Sequence, residues 1–245
     1  SCCFFKLFPT HTVDSQITKP IFGMSLPIKA FLFDLNGTMI DDMQYHNKAW
    51  FHILNDDLGA NLSWDVVKSH MYGKNTELLI RVFGPDKFTQ TEMDTLSVEK
   101  EKRYQAEYRP ILQLIDGLDQ FLEKATERGI KMGIGSAAIP FNINFVLDGL
   151  NLRHYFPSIV SADDVVNSKP DPETYLKGAD ELGVLPQECL VFEDAPKGVE
   201  AAKLAGMKAV VITTMHEAEE FAQYDNIVCF IKDYQELNID SLIHI

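Results

Sequence analysis

Apolar residues along the chain fall into two rhythms. Ala30 to Phe33 is a short apolar run that ends at Asp34 and leads into a Gly-Thr turn, the pattern of a buried strand delivering a loop. From Ile40 to Arg109 apolar positions recur at helical spacing instead: Trp50, Ile53 and Leu54; Leu78, Leu79 and Val82; then Leu96 on a charged segment reaching Tyr108. Beyond Ile111 the two rhythms alternate. Strand-like runs occupy Ile130 to Gly135, Ile159 to Ser161, Leu190 to Phe192, Ala209 to Ile212 and Ile227 to Ile231. Helical patterns lie between them at Leu118 to Arg128, Phe145 to Leu150, Glu173 to Leu182 and Gly198 to Leu204.

Strand and helix in alternation predict an α/β fold, a doubly wound parallel sheet covered on both faces. The helical stretch after the first strand, about 70 residues, is too long for an ordinary connection and reads as a lid or cap. The expected organisation is a core of residues 24–39 and 110–245, with a helical cap of residues 40–109 inserted into it. Residues 1–23 are expected to be a mobile tail, with Met24 as the translation start, because Phe4, Phe5, Leu7 and Phe8 surround Lys6 in a segment too short for a signal peptide.

Composition narrows the function. With 46% hydrophobic residues in 245, the chain can bury a sizeable core. Its 22 basic and 36 acidic side chains give a formal charge of −14, which repels nucleic acid and anionic membranes unless basic residues cluster. The stretch Glu99 to Arg103 alternates in sign and reads as the solvated face of a helix. No apolar run approaches the roughly 18 residues that cross a bilayer. Cys2, Cys3, Cys189 and Cys229 form no disulfide framework. The expectation is a cytoplasmic monomer acting on a small molecule, without nucleic-acid or membrane partners.

Parallel sheets bind ligands beyond the carboxyl ends of their strands, so the residues after each apolar run are the informative ones. These are Asp34-Leu35-Asn36-Gly37-Thr38, Gly135-Ser136-Ala137, Ser168-Lys169-Pro170 and Glu193-Asp194-Ala195. Taken singly, Asp34 reads as a turn residue, Lys169 as an exposed loop lysine, and Glu193-Asp194 or Ser136 as helix caps. Taken together they supply a carboxylate nucleophile, a hydroxyl donor, a cation and an acidic pair at one rim, a set suited to phosphoryl transfer.

In order and spacing, Asp34 to Thr38, Ser136, Lys169 and Glu193-Asp194 resemble the four motifs of the haloacid dehalogenase superfamily. Tyr45-His46-Asn47-Lys48-Ala49-Trp50, Ser168-Lys169-Pro170 and Phe192 to Val199 are similar to its beta-phosphoglucomutase-like branch. The resemblance implies a Rossmann-like core with an inserted helical cap, phosphorylation of Asp34, and Mg²⁺ held by Asp34, the main-chain carbonyl of Asn36, Asp194 and, in support, Glu193. It further implies that Ser136, Ala137 and Lys169 bind phosphate while Thr38 orients the loop. The implied activity is that of a magnesium-dependent phosphohydrolase or phosphotransferase on a small phosphorylated metabolite, a phosphosugar by resemblance. A beta-phosphoglucomutase interconverting hexose 1- and 6-phosphates, and a phosphate-site binding protein with little turnover, are the alternatives.

The chain departs from that pattern at two places. Asn36 stands where the family carries an aspartate that protonates the leaving group, and an amide has no proton to exchange. His46, twelve positions after Asp34, is the candidate replacement acid. In the cap, Gly73-Lys74-Asn75 are candidate substrate contacts, and Thr76 falls where sugar-phosphate mutases carry an arginine, leaving Lys74 as a point charge without the bidentate fork.

Overall fold

The computed structural model describes residues 26–245, so the expectations for residues 1–23 and for Met24 lie outside the described residues. Six parallel strands form one sheet: β1 (Ala30–Phe33), β2 (Lys131–Gly135), β3 (Ser158–Val160), β4 (Cys189–Glu193), β5 (Lys208–Ile212) and β6 (Ile227–Ile231). Their order across the sheet is β3-β2-β1-β4-β5-β6. The chain reverses its winding direction at β1, so a crevice opens beyond the carboxyl ends of β1 and β4.

Side chains of β1 alternate strictly between the two faces. Phe31 and Phe33 point to the side covered by α5 (Leu118–Glu127) and α6 (Pro140–Gly149), while Ala30 and Leu32 meet α7 (Glu173–Leu182) and α8 (Pro196–Leu204). On the first side Phe33 stacks on Phe192 with ring centroids 4.6 Å apart, and Phe31 stacks on Phe121 at 5.5 Å. This dry aromatic layer fixes the ends of β1 and β4 relative to one another.

Between β1 and α5 the chain forms α1 (Met43–His52), which continues as a π-helical turn over Ile53–Asp57, then α2 (Trp64–Ser69), α3 (Asn75–Phe83) and α4 (Gln90–Tyr108). These helices gather their own apolar cluster around Trp50, Ile53, Leu54, Leu78 and Leu79. Thr89 opens α4 in a capping box with Glu92. A short α9 (Ile239–Ile243) closes the chain.

Boundaries differ from the sequence expectation where proline starts a helix. Helix α6 begins at Pro140 rather than Phe145, and α8 at Pro196 rather than Gly198, because a first-turn proline lacks only an N–H that has no intrahelical partner. Strand β3 starts one residue earlier than its apolar run, at the buried Ser158. A larger correction concerns Glu99 to Arg103. Lys100 and Glu101 are 3% and 1% exposed, not solvated. The buried face of α4 runs through Ser97, Lys100, Glu101, Tyr104, Gln105 and Tyr108, a helical spacing written in polar residues that hydropathy does not register. Among the described residues, no helix is long and apolar enough to cross a membrane.

Gly117, at the start of α5, has φ +81°, and a β-carbon there would meet the Gln235 backbone nitrogen at 2.7 Å. Gly117→Ala is expected to cost at least about 1–2 kcal/mol from the left-handed backbone alone, read as a lower urea midpoint at unchanged slope. A loss under about 0.5 kcal/mol would contradict both the backbone cost at Gly117 and the close contact with residue 235.

Candidate active site

Asp34 follows β1 directly, and its backbone N–H extends the ladder to the carbonyl of Phe192 at 2.9 Å. This bond brings Asp34 beside Glu193 and Asp194, which end and follow β4. Gly37 turns the loop with φ +79°; its Cα lies so close to the Asp194 carboxylate that a side chain would collide with it. Thr38 lies beneath, fully buried, with its hydroxyl donating to Asp194 Oδ1 at 3.2 Å and its carbonyl accepting from the Tyr234 hydroxyl at 2.9 Å.

Lys169 reaches over from the loop before α7. Its Nζ donates to Asp34 Oδ1 and to Glu193 Oε1, both at 2.7 Å, and the Tyr175 hydroxyl adds a 2.7 Å bond to the same Glu193 oxygen. Glu193 Oε2 accepts the backbone N–H groups of Asp194 and Ala195 at 3.0 and 3.1 Å. It therefore shapes the turn without capping α8, whose N-cap is Ala195 with no side-chain bond. Ser136 closes the opposite side at the end of β2, its Oγ accepting from the Ala138 N–H at 3.1 Å.

Three carboxylates and one ammonium leave this cluster with a formal charge of −3 + 1 = −2. Burial pushes the Asp34 carboxyl up to about 7, with Lys169 opposing and Glu193 reinforcing the rise. Asp194 is held well above the usual carboxylate range by burial and by the charges of Glu193 and Asp34. Burial works against a charged Lys169, but Asp34 and Glu193 outweigh it and hold its pKa above the ordinary lysine value. Asp34, Glu193 and Asp194 each offer an oxygen within 4.8 Å of the others, the one such group among the described residues. An all-oxygen donor set in which burial raises two of the three carboxyls fits a hard divalent cation, whose charge would take the place of their protons.

A cleft of about 830 Å³, mouth included, opens above these residues. Asp34, Asn36, Ser136, Ala137, Lys169, Glu193 and Asp194 line its floor, and His46, Gly73, Lys74 and Asn75 its roof, together with Trp50, Met71, Tyr72 and Leu78. Of the residues given a catalytic, metal, phosphate or substrate-contact role in the sequence, Thr38 alone does not line it. Lys74 is not a free cation: its Nζ donates to the carbonyl of Val165 at 2.6 Å and bridges α3 to the core. Arg81, the arginine of α3, turns away, donating to the carbonyls of His70 and Tyr72 at 2.7 and 2.6 Å and lying 3.8 Å over the Tyr72 ring.

Sequence reasoning missed a buried polar seam behind residue 36. Asp42, fully buried, accepts at Oδ2 from Asn36 Nδ2 (2.6 Å) and the Tyr104 hydroxyl (2.5 Å), with His46 Nε2 at 3.1 Å, while Oδ1 accepts the Gly37 N–H at 3.1 Å. Burial would raise the Asp42 carboxyl, but His46, Tyr104 and Asn36 outweigh it and hold it below the usual range. His46 stacks on Tyr104 at 3.8 Å, and its Nδ1 faces Lys100 Nζ at 2.5 Å. Lys100 pairs with Glu101 at 2.9 Å, and Glu101 accepts from Asn75 at 3.0 Å. Glu101 Oε2 is buried without a hydrogen-bond partner. The available signal was Lys100 and Tyr104 at i and i+4, one helical face with a charge on it.

Comparison with known proteins agrees with this architecture. The family model described as "Haloacid dehalogenase-like hydrolase" matches residues 31–212. The fructose-1-phosphate phosphatase YqaB of Escherichia coli (strain K12) is 32% identical over 181 residues, 73% of this chain and 93% of that protein. The beta-phosphoglucomutase of Bacillus subtilis (strain 168) is 31% identical over 188 residues, 75% of this chain and 82% of that one. The crystal structure of beta-phosphoglucomutase from Clostridium difficile superposes with a TM-score of 0.76 at 28% identity, covering 88% of this chain and 95% of its own. The sheet order, the helices inserted after β1 and the span of the family match together place this chain in the haloacid dehalogenase-like hydrolase family.

Proposed function

We propose that the protein is a magnesium-dependent phosphohydrolase of small phosphorylated metabolites, phosphosugars above all, working through an aspartyl-phosphate on Asp34. The observation that carries this reading is the buried cluster of Asp34, Glu193 and Asp194 around Lys169. Asp34 and Asp194, with the main-chain carbonyl of residue 36 and support from Glu193, would hold Mg²⁺, which when bound supplies the charge that lets a carboxylate approach a phosphate dianion.

Asp34 attacks phosphorus; a new carboxylate-oxygen-to-phosphorus bond forms as the ester bond to the sugar oxygen breaks. Lys169 and the Ser136 hydroxyl hold the phosphoryl oxygens. Water then attacks the acyl phosphate, releasing inorganic phosphate and restoring Asp34. The leaving oxygen needs a proton that Asn36 does not have, and His46 is the nearest imidazole to residue 36, 2.9 Å from its Nδ2. Both of its ring nitrogens already face partners, Asp42 and Lys100, so neither is directed at the leaving oxygen. Loss of a dedicated acid/base costs about 10²- to 10⁴-fold in rate, which makes slow turnover the expected regime.

Helices α1 to α4 act as the cap that selects the substrate. Its roof combines apolar Trp50, Met71 and Leu78 with Tyr72 and Asn75. Lys74 and Arg81 are both committed elsewhere, so the roof offers little to a second phosphate. This favours a monophosphate substrate over the bisphosphate that a mutase cycle requires.

The experiment is a panel of sugar and polyol monophosphates assayed for released phosphate. Turnover is expected with magnesium, absent with a chelator, and absent in Asp34→Asn; chelator-resistant turnover would contradict the reading. Removing the ammonium while keeping the stem, Lys169→Met, is expected to lower kcat by at least about 10². A change under threefold would show that Lys169 is not at the phosphoryl group.

A further inference from the structure

Behind Asn36 stands the buried carboxylate of Asp42. Asn36 Nδ2 lies 2.6 Å from Asp42 Oδ2, and a buried carboxylate accepts only donors, so the amide nitrogen must face Asp42. Oδ1 therefore points away from Asp42, on a residue that lines the cleft. The same carboxylate oxygen meets His46 Nε2 at 3.1 Å, and Lys100 Nζ meets Nδ1 at 2.5 Å. An ammonium can only donate, so Nδ1 accepts and the proton of neutral His46 sits on Nε2, directed at Asp42. Asn36 and His46, 2.9 Å apart, are two donors converging on one acceptor, with the Tyr104 hydroxyl as a third.

Resting on the phosphohydrolase reading, we propose that Asp42 is the positioning residue of this site: it holds the Asn36 amide with its oxygen toward the substrate and His46 as the Nε2–H tautomer. Residues 36 and 42 thereby form an exchange pair in which one position carries the carboxylate and the other the amide. A carboxylate at 36 would lose the donor that Asp42 requires and bring two acceptors face to face in a buried space. Asn36→Asp alone therefore does not restore an acid/base. The reciprocal exchange, Asn36→Asp with Asp42→Asn, keeps one carboxylate, one amide and the hydrogen bond between them.

The test is a double-mutant cycle over wild type, Asn36→Asp, Asp42→Asn and the double variant. Magnesium-dependent hydrolysis of p-nitrophenyl phosphate and fructose 1-phosphate is measured beside two-bond ¹⁵N–¹H spectra of His46. Each single variant is expected to lose at least about tenfold in kcat with KM within about threefold, and the double variant to return to wild type or above. His46 is expected as the Nε2–H tautomer in wild type and not in Asp42→Asn. Additive single effects, a tenfold gain from Asn36→Asp alone, or an unchanged tautomer in Asp42→Asn would overturn the proposal. Should Asp42→Asn not fold, the rate of Asn36→Asp decides alone. If no protein in the cycle hydrolyses either ester while the tautomer changes as expected, the phosphohydrolase reading fails and the positioning role stands.

Discussion

The structure depends on burying more negative charge than positive at one point of the sheet. Asp34, Glu193 and Asp194 share a space in which Lys169 is the one ammonium in direct contact, at 2.7 Å from two of them. Such an arrangement opposes folding unless each charge is matched or hydrogen-bonded. The fold meets this locally with the Asp194 and Ala195 N–H groups, the Tyr175 and Thr38 hydroxyls and the Lys169 ammonium. The aromatic layer of Phe31, Phe33, Phe121 and Phe192 holds the two strand ends so that the carboxylates cannot drift apart. What remains is a residual negative charge that suits a divalent cation.

From that point a polar seam runs into the inserted helices. Asn36, Asp42, His46, Lys100, Glu101 and Asn75 are joined in series by contacts of 2.5 to 3.1 Å, leading from the loop after β1 through α1 and α4 to α3. Polar chains of this kind are specific about geometry because an unpaired buried group is costly. The inserted helices are thus tied to the loop after β1 through directional bonds.

Much of the fold was legible because residues 30–33 of β1, 189–192 of β4 and 209–212 of β5 are uninterrupted apolar runs and because strand and helix alternate after Ile111. The residues at the strand ends were legible for the same reason: topology determines where the informative positions fall. The start of α6 at Pro140 was not, since its first turn, Pro140 to Ile143, shows no periodicity of its own. Nor was the inward face of α4, because Lys100 and Glu101 look like solvent-facing charges until a partner histidine is found 54 positions away along the chain. Asp42 was hidden for a related reason. Next to Asp41 it reads as an exposed acidic turn, and only the folded loop shows four donors converging on it.

The most direct measurement is the mass of the peptide containing residue 34 after acid quench during turnover of a phosphosugar that the protein hydrolyses. One added phosphoryl group is expected on Asp34, removed by hydroxylamine. Turnover with that peptide unmodified, and the phosphoryl group on another residue, would contradict the aspartyl-phosphate reading.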